Sequence, residues 1–129
     1  MKINCIEISI NDEELGCQVT FSDKKSLGEE AANMSVQEII DSTGEYLLIQ
    51  RSYPENELER DYIYFETHDI EYSGEFVDYE MILSKNRLEL KLLNKEIEVL
   101  INPTDNEYSE LKKILPILTN KTGKLIIND

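Results

Sequence analysis

The chain has no tryptophan, one histidine, two cysteines, three prolines and five glycines in 129 residues. One histidine and two cysteines leave no four-ligand zinc spacing. Glycine-rich phosphate loops and low-complexity tracts are absent as well. No apolar run approaches the roughly 20 residues that a membrane helix needs. The start, "MKINCIEISI", has one lysine and then alternates apolar with polar residues. A signal peptide needs an unbroken apolar stretch of about 7–15 residues, so the expectation is a cytoplasmic protein without membrane contact. Positive charge is scarce too. Lys and Arg total 13 against 27 Asp and Glu, a formal net charge of −14. Phosphate backbones and anionic membranes repel such a chain, so direct nucleic-acid binding is not expected. A basic protein partner, such as one that itself binds nucleic acid, fits the sign. On net charge alone, solubility is the better account.

What is present is enough to bury a core: 40% of residues are hydrophobic and 31% charged. The length fits one domain over residues 1–129. Ile6, Ile8 and Ile10 alternate with Glu7 and Ser9, which predicts a half-buried strand. "NDEEL" turns the chain. Leu15, Cys17, Val19 and Phe21 then alternate with Gly16, Gln18 and Thr20 as its hairpin partner. On this alternation Cys17 faces the core and Cys5 faces out, so the two thiols do not pair. Ser35, with Glu38 three residues on, predicts a capped helix through Val36–Asp41. Val36, Ile39 and Ile40 would share its apolar face, and Gly44 would end it. "EYLLIQR" has apolar residues on both parities, as in a central strand covered on both faces. Tyr62–His68 and Phe76–Leu83 are further strands. A meander continues through Leu88, Leu90 and Leu92, a tight turn at Asn94–Lys95, and Ile97, Val99 and Ile101. Thr104 or Asp105 caps a helix with the stripe Tyr108, Leu111, Ile114, Leu115 and Leu118. Pro116 should end or kink it. "GKLIIND" can add a last short strand. The sum is an α+β domain: an antiparallel sheet of about seven strands packed against a C-terminal helix.

Chemistry has one natural focus. Along Tyr62–His68, Tyr62, Tyr64, Glu66 and His68 point one way, and Ile63, Phe65 and Thr67 the other. The apolar set should face the core. The first set then forms an outward row of two phenols, a carboxylate and an imidazole. A metal site would need three or more ligands, and here all but His68 would be loop carboxylates. No EF-hand pattern exists. A catalytic role would make His68 a general base oriented by Glu66 or Asp69. No serine or cysteine stands in a nucleophile motif, and with so many carboxylates a chance pair is expected. No cofactor is implied.

A binding role has more behind it. Between Glu55 and Glu80 stand ten acidic residues and one basic residue, Arg60. The same window holds Tyr62, Tyr64, Tyr72 and Tyr79. Tyrosine buries much area at low entropy cost and keeps a polar tip, which favours it at interfaces. Clustered acids steer a basic partner and speed association. The candidate surface is Glu55, Glu57, Glu59 and Asp61 as a steering loop, Tyr62, Tyr64, Glu66 and His68 as a contact strand, and Glu71, Tyr72 and Glu75 beside it. A merely solvated sheet face with an acidic loop is the plain alternative.

The stretch "EYLLIQRSYPENELERDYIYFETHD" resembles a family of bacterial immunity proteins, the tenth in the usual series, encoded beside polymorphic toxins. The pieces that carry the resemblance are the strand "YLLIQR" with its acidic loop, the "YxYxE" strand, the "LSKNRLEL…LLNKEIEV" hairpin and the helix "EYSELKKIL". They span roughly residues 45–118. The resemblance implies a non-enzymatic inhibitor that binds a cognate toxin in the cytoplasm of the producing cell or its kin. Two readings from other classes compete: a small hydrolase or metal-dependent enzyme using His68, and an oligomeric interaction module that uses an open sheet edge.

Overall fold

The structure, a computed structural model, describes residues 1–25, 32–42, 44–55, 62–76, 78–120 and 122–128. The strands are β1 (Lys2–Asn4), β2 (Glu7–Glu13), β3 (Gly16–Ser22), β4 (Tyr46–Ser52), β5 (Tyr62–Thr67), β6 (Gly74–Glu75), β7 (Tyr79–Ser84), β8 (Arg87–Leu92), β9 (Glu96–Leu100) and β10 (Lys124–Asn128). The helices are α1 (Val36–Ser42) and α2 (Asp105–Thr119). The α+β class holds, but the single sheet of about seven strands does not. There are two five-stranded sheets. A meander sheet, in the order β2-β3-β4-β5-β6, is antiparallel throughout. A mixed sheet, in the order β1-β9-β8-β7-β10, has antiparallel β7, β8 and β9 flanked by parallel β1 and β10.

The chain crosses between the sheets twice. At the first crossing, adjacent residues serve different sheets: the Cys5 N–H donates to Leu100 O and the Ile6 N–H to Ser22 O, both at 2.8 Å. At the second, the Phe76 N–H still donates to Ile63 O at 2.9 Å. Its ring stacks on Phe65 of the meander sheet, at 4.8 Å between centroids, and on Tyr79 of the mixed sheet, at 4.4 Å. Strand alternation fixes which face a side chain takes, not which ladder its strand joins. That is why one sheet was expected and two are found.

Each sheet buries one face in a shared core. Cys17, Val19, Phe21, Leu47, Ile49, Ile63 and Phe65 come from the meander sheet, and Ile3, Met81, Leu83, Leu88, Leu90, Ile97 and Val99 from the mixed sheet. Helix α2 adds Tyr108, Leu111, Ile114, Leu115 and Leu118, the stripe expected from its 3.6-residue period. It packs against β2, β3, β4 and β10. A capping box starts it: Thr104 Oγ1 accepts from the Glu107 N–H, and Glu107 Oε1 accepts from the Thr104 N–H. Pro116 does not end it. The proline stands in the last turn, where Thr119 Oγ1 donates to Leu115 O and the Asn120 N–H to Pro116 O. Arg51 reaches over from β4, and its Nη1 donates to the Ile117 carbonyl at 2.7 Å. That carbonyl is one of the four that a helix C-terminus leaves without an intrahelical partner.

Other expectations need correction. Ile6 is exposed; of the alternating Ile6, Ile8 and Ile10, only Ile8 and Ile10 pack on the core. Leu15 sits exposed in the β2–β3 turn. Cys5 is half-buried against the core and not outward, because it stands at the crossing and not within a strand. Both cysteines are free. Helix α1 has its Ser35 cap, with Ser35 Oγ accepting from the Glu38 N–H at 3.1 Å. Its expected apolar face is not packed at Val36, which is exposed; the Ile40 side chain lies outside the described ones. Strand β4 is central, but it buries only Leu47 and Ile49 fully. The strand expected over Phe76–Leu83 starts at Tyr79, after the crossing. Its Tyr79 ring is buried in the core, so this tyrosine belongs to no surface.

Candidate protein-binding face

Strand β5 alternates as its residues require. Ile63, Phe65 and Thr67 are buried, Tyr62 and Glu66 are exposed, and Tyr64 is half-buried. His68 follows directly and is exposed. The outward row of Tyr62, Tyr64, Glu66 and His68 therefore exists, and the β4–β5 register gives it partners. The Tyr64 hydroxyl donates to Gln50 Oε1 at 2.8 Å, and these two residues stand opposite each other. The Tyr46 hydroxyl donates to Glu66 Oε2 at 2.7 Å. Loss of solvent around the Tyr46 phenol, followed by the Glu66 carboxylate it touches, pushes its pKa up to about 12. His68 is held by the backbone, its Nδ1 accepting from the Tyr46 N–H at 3.2 Å. The rings of Tyr62 and Tyr64 lie 5.8 Å apart.

The registers extend this row into a whole face. Antiparallel partners share a side, so the outer face can be read across the meander sheet. One row runs Glu7, Ser22, Tyr46; the next Ser9, Thr20, Leu48, Glu66; then Asn11, Gln18, Gln50, Tyr64, Glu75; then Glu13, Gly16, Ser52, Tyr62. Amides, hydroxyls and tyrosines fill the centre. Carboxylates stand toward both edges: Glu7 and Glu13 on β2, Glu66 on β5 and Glu75 on β6. None of these described positions is Lys or Arg. Gly16 lets β3 and β4 close together, since a Cβ there would lie 2.3 Å from the Arg51 carbonyl oxygen.

The outer face of the mixed sheet is composed differently. Lys2, Arg87, Lys91 and Lys124 stand there among Glu80, Glu89, Glu96 and Glu98. Arg87 lies 3.3 Å from Glu89 and 3.7 Å from Glu98. Acids and bases balance on that side. On the outer face of the meander sheet no Lys or Arg stands at a described position.

The other candidate residues fall in three places. Glu75 stands opposite Tyr64 and joins the face. Glu71 is exposed in a single 3-10 turn, Ile70–Tyr72, capped by Asp69, whose Oδ1 accepts from the Glu71 N–H. Tyr72 is half-buried against the core, with Lys95 Nζ 4.8 Å above its ring. It faces the β8–β9 hairpin instead of joining the row. Glu55 is exposed beyond the end of β4. Glu57, Glu59 and Asp61 lie outside the described residues. Tyr46 and Gln50 were missed, although the outward parity of "YLLIQRS" contains both.

Among the described residues no three His, Cys, Asp or Glu side chains converge to hold a metal ion. Burial pushes the thiols of Cys5 and Cys17 up from their ordinary range, away from the thiolate. Among the described residues no helix is long and apolar enough to cross a membrane. No protein-family model, curated protein or solved structure matches the chain.

Proposed function

We propose that this chain is a non-enzymatic immunity protein that binds and neutralises a cognate bacterial toxin in the cytoplasm of the cell that makes it. The docking surface is the outer face of the meander sheet, and the toxin presents a basic surface to it. One observation carries this reading. The outer face of one sheet is charge-balanced, while that of the other holds Glu7, Glu13, Glu66 and Glu75 with no cation at any described position of the face. Solubility needs charge, but it does not require the acids and the bases to be sorted onto different sheets among the described positions. An acidic field of this kind steers a basic partner and raises the association rate. Tyr62, Tyr64 and Tyr46 supply contact area, and two of them are pre-oriented by Gln50 and Glu66, which lowers the entropy lost on binding. The resemblance of residues 45–118 to the immunity family supplies the class of partner.

The test is protection. The gene immediately upstream should encode a large secreted protein, whose variable C-terminal domain is induced in a bacterial host with and without this chain. Survival only in the presence of the chain supports the reading. Equal killing in both cultures, with the chain folded and abundant, removes it.

A further inference from the structure

Ile70 and Leu93 are the most exposed large apolar side chains among the described residues, at 89% and 88%. Turn tips are ordinarily polar, and neither side chain supports the core. They lie at the same end of the molecule. Tyr72, two residues beyond Ile70, sits under the Lys95 ammonium, two residues beyond Leu93. Between these turns a cleft of about 320 Å³ opens beside β6, lined by Phe65, Gly74, Glu75, Asp78, Leu92 and Leu93. Its floor is apolar and two carboxylates stand on its rim. Lys95 also borders it, with its charge turned onto the Tyr72 ring. A Cβ built on Gly74 would meet nothing within 4 Å, so the cleft is open along β6.

We infer that this cleft is an anchoring pocket for the same toxin, and that it takes an apolar side chain standing next to a lysine or arginine. The inference rests on the proposed function and adds to it what the partner must carry. Two arguments select this occupant. Glu75 belongs both to the acidic face, opposite Tyr64, and to the rim of the cleft. A body seated on β5 and β6 therefore covers both. The rim carboxylates match a basic residue beside the apolar one, as the face itself does. Energetic anchors of interfaces are typically apolar or aromatic groups in such pockets, with charged surroundings that govern approach.

The test uses the catalytically inactivated toxin domain encoded upstream, with the full chain immobilised. Both apolar side chains are almost fully exposed, so the Ile70→Ser/Leu93→Ser variant should fold like the parent, which its melting temperature checks. The expected result is a Kd raised by about tenfold or more, mostly through faster dissociation, with an unchanged salt dependence. The Glu13→Lys/Glu66→Lys variant, on the face but away from the cleft, should instead slow association and flatten the salt dependence. If the serine variant binds like the parent while the lysine variant does not, the cleft lies outside the interface; the inference falls and the acidic face stands. If the parent chain itself fails to bind, the proposed function falls and the inference with it. A concentration-dependent dimer of the chain alone that Ile70→Ser/Leu93→Ser dissolves would assign the cleft to a second copy and overturn the inference.

Discussion

The Tyr64 hydroxyl donates to Gln50 Oε1 across the β4–β5 pair at 2.8 Å, in the middle of the acidic face. The bond fixes the phenol in the orientation in which a partner would meet it. Removing only the hydroxyl, in Tyr64→Phe, should cost about 0.5–1.5 kcal/mol of stability, the net worth of one such bond. Urea unfolding measures this. Tyr64→Ala should in addition weaken toxin binding by about 2 kcal/mol, as truncation of a central aromatic typically does. Titration calorimetry reads that loss directly.

Arg51 ties the meander sheet to the end of α2 through the Ile117 carbonyl, and its guanidinium lies 4.9 Å from the centre of the Tyr53 ring. Arg51→Ala should lower stability by about 1–2 kcal/mol, a value reduced from that of a buried charged bond because the group is partly exposed. Arg51→Lys should recover only part of it, since an ammonium cannot both stack flat on the ring and reach the carbonyl as a fork does. Equilibrium unfolding of the three proteins gives the order. Equal stabilities would remove the tie from the account.

Tyr46, Tyr53 and Tyr79 are all shifted upward, each chiefly by burial; Asp12 adds to Tyr53 through its hydrogen bond, and Glu66 to Tyr46. A folded-state phenol that holds its proton more tightly than the unfolded one contributes stability that is complete below the unfolded value of about 10. That contribution is lost as pH rises through the folded value, which for Tyr46 is about 12. Denaturant midpoints should therefore fall steadily above pH 10. Absorbance titration of the phenolates should show Tyr46 ionising late, and Glu66→Gln should move it earlier. A flat denaturant midpoint between pH 10 and 12 would contradict this.

The alternation of Ile63 and Phe65 against Tyr62, Tyr64 and Glu66 was legible in the sequence, because a strand's period of two is set by backbone geometry alone. So was the stripe of α2, and so was the β7–β9 meander. The division into two sheets was not. It depends on where Cys5, Ile6 and Phe76 send their N–H groups, and nothing in those side chains announces a change of partner. Half of the candidate face was hidden for a related reason. Leu48 on the outward parity of β4 made that strand look covered on both sides, so Tyr46 and Gln50 passed as neighbours of a core residue. Only the pairing of Gln50 with Tyr64 and the hydrogen bond from the Tyr46 hydroxyl to Glu66 bring them to the surface row. Tyr79, counted in the acidic window, is instead buried: an amphipathic ring suits an interface and a core edge equally, and its position in that window does not say which.

The central claim is that the outer face of the meander sheet holds the toxin by charge and tyrosine. Its most direct measurement is the affinity of the proposed cognate toxin domain for the wild-type chain and for a Tyr64→Ala/Glu66→Lys/Glu75→Lys variant, each at low and at high salt. The account predicts tight wild-type binding that weakens as salt rises, and a variant that binds far more weakly and is nearly indifferent to salt. A variant that binds as tightly as the wild type, with the same salt dependence, would contradict it.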